Sequence, residues 1–393
     1  MNDSAFFAES ARGLPSTKMP GTVAAIFPFL DSWRVIAALT VVFLHLQMQD
    51  FLPAEVPNLR RFGHLAVIVF FVISGYSVAF SAHQHQGQIG KFLVARWSRI
   101  YSIAIPAILV ALVLDQLAGI QNSPLYPAWQ YPKWWQHLLF NSLFLGEHWS
   151  FKLHPFSIAP YWSLSYEFWF YALMAVFMLG PSRLRVLSII AMLLFFGPRI
   201  CALLPCWLLG VWAFQKSLSS SGSIPHAGGL ASVSFLILGG LWLVSGADTA
   251  LLGITKQIDD QLQSATGNVL KLYESRYFVA DLVIAMFFAA AILLTARSLP
   301  AKQARMPRLR AWISWLAPHT FALYLFHYTF IVFATTKIAP SERHGWTTFF
   351  VASVVIGSSL LLGVLLAPTR KLWAQLLDRA RQRVSRLFGG STT

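Results

Sequence analysis

Three ionisable residues in one short apolar stretch indicate where this chain could carry chemistry. Asp31, Arg34 and His45 lie in a mostly apolar run between positions 28 and 50. Arg34 and His45 are eleven positions apart, so in an α-helix they lie on nearly the same face, about 16 Å apart along the axis. Asp31 precedes Arg34 by one turn and can pair with its guanidinium. A neutral imidazole in this setting can act as a general base.

A carboxylate and a second imidazole lie in two other apolar segments. Glu167 is in the segment 157–180, and His327 is in the segment 312–334. Counting from the expected helix ends places both near the depth of His45, because an α-helix rises about 1.5 Å per residue. We therefore expect the three side chains to converge, with the carboxylate orienting an imidazole. The alternative for Glu167 and His327 is hydrogen bonding between helices with no catalytic role.

An arginine pair at the start of the third apolar segment indicates a different chemistry. Arg96 and Arg99 are three positions apart and share a helical face. Guanidinium groups match the geometry of phosphate oxygens, so this pair could hold the phosphates of a nucleotide-bearing donor. Anchoring at a membrane surface is the alternative. In the second segment, Ser74 and Gly75 would let a neighbouring helix or a ligand approach closely.

The elements that must position these residues are membrane-spanning helices. Of the 393 residues, 56% are hydrophobic and 11% are charged, against roughly 25% charged in a soluble domain. Apolar runs long enough to cross a hydrocarbon core of about 30 Å recur along the chain. They predict an all-α fold with about ten transmembrane helices. The predicted spans are 28–50, 64–82, 98–118, 157–180, 183–199, 201–215, 229–247, 276–296, 312–334 and 346–367.

The net charge of +15 is distributed as membrane orientation requires, and nucleic-acid binding is not expected. Most of the 30 Lys and Arg residues would lie on the cytoplasmic side if both termini are cytoplasmic. We expect a cytoplasmic tail at 1–26, a membrane domain at 27–368 and a basic amphipathic tail at 369–393. The last would lie on an anionic membrane surface or simply anchor the topology. The segment from Gln121 to Pro155 is predicted to cap the outer face.

Taken together, these residues resemble the acyltransferase-3 family of membrane proteins, which O-acylate surface polysaccharides and related envelope molecules. The resemblance rests on Asp31, on Arg34 with ten residues before His45, on the run from Phe70 to Gly75, on Arg96 and Arg99, on the run from Trp162 to Glu167 followed by Phe170 and Tyr171, and on the run from Tyr324 to His327. Val35 stands where many relatives carry glycine after the arginine.

The resemblance implies a bacterial inner-membrane enzyme that moves an acyl group, by default acetyl, from cytoplasmic acyl-coenzyme A to a hydroxyl of an extracytoplasmic glycan. We expect His45, Glu167 and Arg34 to be catalytic, and Arg34, Arg96 and Arg99 to bind the donor. The expected supporting residues are Asp31, Ser74, Trp162, Tyr324 and His327. The partners would be the lipid bilayer, acyl-coenzyme A and a carbohydrate acceptor, without a metal. A glycan transporter or flippase is the alternative function, and an inactive scaffold is a third.

Overall fold

The chain is helical throughout the part that the structure, a computed structural model, describes: residues 26–53, 55–56, 58–120, 134–180, 182–219, 227–267, 269–298 and 308–388. Within these ranges there is no β-strand. The helices are α1 (Phe27–Met48), α2 (Arg60–Gln84), α3 (Ile89–Ala118), α4 (Trp134–Ser142), α5 (Tyr161–Phe177), α6 (Arg183–Ser219), α7 (Ala227–Val244), α8 (Ala247–Ala265), α9 (Phe278–Ser298), α10 (Arg308–Leu316), α11 (Thr320–Thr335), α12 (Trp346–Leu366) and α13 (Thr369–Phe388).

The predicted spans coincide with helices, and the number of crossings is where sequence and structure differ. Seven of the described helices are long and apolar enough to cross a membrane, and α7 with α8, bent by 66°, would form an eighth. The two spans predicted between 183 and 215 form one helix, α6, which is broken at Gly197. The α5 helix has 17 residues, fewer than the roughly 20 that a bilayer requires. The chain is therefore a multi-pass membrane protein, while ten crossings and cytoplasmic termini stay predictions.

The second helix forms the centre of the bundle. Of its apolar stretch, 83% is buried within the protein, against 33% for α1 and 28% for α12. It packs against α1, α5, α6 and α9. A Cβ atom at Gly75 would overlap the backbone carbonyl of Trp207, and one at Gly210 would overlap that of Val72. Small residues allow this close approach of membrane helices, so α2 and α6 form a rigid pair beside the polar residues of α2.

A buried arginine holds the segment 143–160 against α6. Arg199 is 1% exposed and follows the break at Gly197. It donates to the Glu147 carboxylate at 3.1 Å and to two backbone carbonyls of the same segment. Burial raises the pKa of Glu147 to about 7, and the neighbouring cations Lys152 and Arg199 oppose that rise. The segment is therefore tied to the bundle by charge as well as by apolar packing.

Three of the expected regions lie partly or wholly outside the described residues. These are 1–25 of the N-terminal tail, 121–133 of the expected outer cap, and 389–393 of the C-terminal tail. Within the cap, α4 has nine residues, too few to cross a bilayer, as predicted. The amphipathic tail forms the helix α13, which packs along α3. Its contact with an anionic membrane surface stays a prediction.

The close approach of α2 and α6 makes Gly75 intolerant of a side chain. We expect Gly75→Ala to lower the free energy of unfolding by about 1–3 kcal/mol, because the added methyl must displace backbone. Gly357→Ala is the matched control, since a Cβ there meets nothing within 4 Å and alanine favours a helix. Thermal unfolding in detergent measures both. Equal melting temperatures for the two variants would contradict this packing.

Candidate active site

Two imidazoles from distant parts of the chain form a hydrogen-bonded pair. His45 on α1 and His327 on α11 have Nδ1 and Nε2 at 2.9 Å. His327 is fully buried, whereas His45 is partly exposed. The ring of Tyr328 packs edge-on against His45, with ring centroids 4.6 Å apart. The structure thus brings together the two histidines that the sequence places at a similar depth.

Backbone geometry determines which nitrogen of each ring carries the proton. His327 Nδ1 lies 2.9 Å from the carbonyl oxygen of Leu323, which can only accept a hydrogen bond. In a neutral His327 ring, Nε2 is therefore unprotonated and accepts from Nδ1–H of His45. This leaves the Nε2 lone pair of His45 available. The pair thus presents one basic nitrogen, on the ring that is partly exposed.

Two arginines from different helices bind a single residue of α2. Arg34 donates to the Asp31 carboxylate and to the Ser77 hydroxyl, both at 2.6 Å. Arg96 is 5% exposed and donates to the backbone carbonyl of Ser77 at 2.8 Å. The pairing of Asp31 with Arg34 is as predicted, and it removes the cost of an unpaired charge in an apolar region.

The Glu167 carboxylate lies in a different place from the one expected. It accepts hydrogen bonds from Ser74 at 2.6 Å and from Tyr171, while the His45 ring is hydrogen-bonded to His327. Equal depth in two helices does not determine which neighbour a side chain faces, and Glu167 faces α2. We therefore correct the expected contact: His327, and not Glu167, orients His45.

A cavity of about 70 Å³, here called the central cavity, joins the remaining site residues. Its lining includes Arg34, Ser74, Ser77, Arg96, Arg99, Ser163, Glu167, Tyr171, Phe321 and Tyr324. Tyr324 adjoins both this cavity and the histidine pair: it lines the cavity, and its ring centroid is 6.2 Å from that of His327. The tyrosine hydroxyl is fixed by Ser163 Oγ at 2.7 Å. Trp162, also an expected site residue, packs against Phe71 and Tyr166 and is not in the cavity lining.

A second and much larger cavity of about 830 Å³ adjoins the first, and we call it the basic vestibule. The two cavities share Arg96, Arg99 and Phe321. The cationic lining residues of the vestibule are Lys91, Arg96, Arg99, Arg370 and Lys371, and no carboxylate is among the described residues that line it. Burial lowers the pKa of His85, which also lines this cavity, and nearby Arg96 and Lys91 act in the same direction. The vestibule is suited to a large polyanion.

Comparison with known proteins connects this geometry to a reaction class. A sequence model described as "Acyltransferase domain", that of the acyltransferase-3 family, matches residues 27–368. The chain belongs to the acyltransferase-3 family. Membership of this family favours an enzyme over the transporter alternative.

The other comparisons do not identify the donor or the acceptor. The chain is similar to Acyltransferase MdmB of Streptomyces mycarofaciens, with 31% identity over 163 residues. The aligned part covers 39% of this chain and 39% of that protein. No solved structure matches this acyltransferase-3 chain. The donor and the acceptor of this enzyme must therefore be argued from the site itself.

Several residues of the site were absent from the sequence-based prediction. Ser77 lies one helical turn after Ser74, a spacing that signals a shared face, yet serines in membrane helices commonly serve packing. Arg370 and Lys371 belong to a tail that was predicted to lie on the membrane. Tyr171 is part of the resemblance to the acyltransferase-3 family, and its i,i+4 spacing from Glu167 allows the observed bond. Only the three-dimensional arrangement assigns these four residues to the cavities.

The histidine pair predicts that two substitutions of the buried His327 will lower kcat to different extents. His327→Leu should lower kcat roughly tenfold or more, because His45 loses the imidazole that accepts from its Nδ1–H. His327→Gln should recover part of the rate, since its amide oxygen can accept from His45 Nδ1–H. The measurement is acyl transfer by purified protein across pH. Wild-type rates in both variants would show that the pair has no part in the reaction.

Proposed function

We propose that this enzyme transfers a short acyl group from acyl-coenzyme A to a hydroxyl of an extracytoplasmic envelope glycan. The proposal rests chiefly on one observation: a vestibule whose described lining residues include five cations and no carboxylate adjoins a small cavity, and Tyr324 of that cavity packs near a histidine pair. The proposed location is the inner bacterial membrane, with both termini and the vestibule cytoplasmic. The basic residues of the vestibule and of α13 agree with that orientation.

The donor would enter through the basic vestibule. Arg96 and Arg99 line both cavities, so they can hold the phosphates of the carrier where the acyl arm passes into the central cavity. A volume of about 830 Å³ lies in the range of sites for small-molecule ligands and cofactors. Arg34 would then position the acyl end, because Asp31 and Ser77 fix its guanidinium.

The chemistry would take place at the free nitrogen of His45. Nε2 removes the proton of the acceptor hydroxyl, and the hydroxyl oxygen attacks the thioester carbonyl. The carbon–sulfur bond breaks, and the proton held by His45 passes to the departing thiolate. In the second route, Nε2 itself attacks the carbonyl and the carbon–sulfur bond breaks with release of the thiolate. The acceptor hydroxyl then attacks the acyl group, the nitrogen–carbon bond breaks, and the hydroxyl proton passes to the thiolate. In both routes the acyl group would pass beside Tyr324, which lines the central cavity and packs near His327.

The proposed reaction can be tested with the enzyme in liposomes. Labelled acetyl-coenzyme A and extracted envelope glycan should give labelled glycan with the wild type and none with His45→Ala, because the only free base of the pair is lost. Arg96→Ala should raise the KM for the donor about tenfold or more. Thr336→Ala, at the end of α11, serves as the control.

The same assay separates the two routes and the competing outcomes. Labelled enzyme without acceptor, isolated after rapid quenching, would identify the acyl-enzyme route. Comparing the masses of envelope glycans from cells with and without the gene would identify the acyl group and the acceptor. Transfer by His45→Ala at the wild-type rate would remove His45 from the mechanism.

The central cavity predicts selection for short acyl groups. A volume of about 70 Å³ holds roughly five to seven water-sized probes, enough for acetyl but not for a long chain. Phe321 lines the junction of both cavities, so Phe321→Ala should raise the rate with hexanoyl relative to acetyl donor about tenfold. Phe349→Ala, on the exposed face of α12, is the control. An unchanged ratio would show that acyl length is selected elsewhere.

A further inference from the structure

The wall of the basic vestibule is built from two parts of the chain. Most of its residues lie within 27–368, the range that matches the acyltransferase-3 family. Arg370, Lys371 and Ala374 belong to α13, which begins at Thr369, directly beyond that range. An element outside the matched domain therefore supplies two of the five cations of the proposed donor site.

The position of α13 is determined by contacts along α3, and the two helices run in opposite directions. Thr369 Oγ1 lies 3.4 Å from the carbonyl oxygen of Ser102. One turn further along α13, the ring of Trp373 stacks on that of Tyr101, with centroids 5.1 Å apart and planes at 18°. Near the far end, the Arg381 side chain crosses over Gly90, where a Cβ would lie 2.6 Å from Arg381 Cδ.

This docking separates the basic residues of α13 into two groups. Arg370 and Lys371, in the first turn, line the vestibule. Arg379 and Arg383 are exposed and are not in the lining of either cavity. A helix that served only as a topology anchor would not need its first turn to line a cavity. The exposed Arg379 and Arg383 are basic residues of the kind that bind an anionic membrane surface.

The cations that line the vestibule favour an anionic ligand. Its five cations include three from α3, and Arg370 lies close enough to Arg96 for the two to repel each other. The carboxylate of Asp378 on α13 is bound to Arg381, outside the lining. Like charges gathered in one cavity repel one another, and a bound polyanion offsets that repulsion.

We propose that the first turn of α13 completes the donor site, with Arg370 and Lys371 binding a phosphate group separate from the one held by Arg96 and Arg99. This inference rests on the proposed function. It adds two binding residues to the proposed donor site, and it favours a nucleotide-linked thioester with more than one phosphate group over a simple phosphopantetheine thioester. Arg370 and Lys371 are binding residues in this scheme and take no part in bond making.

A series of donors with fewer phosphates tests this proposal. The series is acetyl-coenzyme A, its 3′-dephospho form and acetyl-phosphopantetheine, each assayed with the full-length enzyme in liposomes. In the wild type, KM should rise at each step. In the Arg370→Gln/Lys371→Gln variant, KM for the complete donor should rise about tenfold with kcat retained. In this variant, removing one particular phosphate from the donor should raise KM very little further, because the side chains that bound that phosphate are gone.

Two control variants and one binding measurement test whether the effect depends on the charge and position of Arg370 and Lys371. Arg379→Gln/Arg383→Gln removes the same charge from the exposed side of α13 and should leave the series as in the wild type. Arg370→Lys/Lys371→Arg keeps the charge and should restore most of the donor preference. Binding of free coenzyme A to detergent-solubilised protein should weaken in the glutamine variant and depend less steeply on salt.

The possible results separate this inference from the function on which it rests. An active wild type with an unchanged donor series in Arg370→Gln/Lys371→Gln would show that α13 only anchors the chain. A KM that rises equally for all three donors would overturn the proposal too, since that pattern indicates a distorted site. Failure of the wild type to transfer acetyl from any donor would refute the proposed function itself.

Discussion

The site depends on one constraint: a guanidinium inside an apolar bundle must find acceptors that do not move. Ser77 supplies two, because its hydroxyl accepts from Arg34 and its backbone carbonyl accepts from Arg96. These arginines come from α1 and α3, so a single residue of the central helix sets the distance between them. The close contact of α2 with α6 at Gly75 keeps Ser77 in place. The polar site is therefore built on the most buried helix.

The helix α11 orders the parts of the site along one axis. Phe321 lines both cavities, Tyr324 lines the central cavity, and His327 lies one turn further and holds His45. Successive turns of one helix are about 5.4 Å apart. A donor in the vestibule and a base at His45 would thus be held a short distance apart by one helix, as catalysis by positioning requires. Tyr324 lies between Phe321 and His327 along this helix and lines the central cavity.

The sequence alone predicts the helical segments and most of the polar site residues. Apolar runs of sufficient length reveal the helices, and charged residues stand out within them because burying charge is costly. The pairing of Asp31 with Arg34 follows from spacing alone, and depth along the membrane brought His45 and His327 together. The same argument failed for Glu167, since depth does not report the direction in which a side chain points. It also missed Ser77, whose backbone carbonyl is an acceptor in any sequence. The role of α13 depends on tertiary docking that its amphipathic pattern does not reveal.

The vestibule would bind the acylated carrier and the spent carrier through the same cations. Its cations would recognise the phosphate end of the carrier, and that end is identical before and after the acyl group leaves. The spent thiol carrier would therefore occupy the same cations as the loaded one and compete with it. Turnover would then follow the ratio of charged to discharged carrier in the cell more closely than the amount of either. An enzyme built this way would slow envelope modification whenever the metabolic supply of activated acyl groups declines.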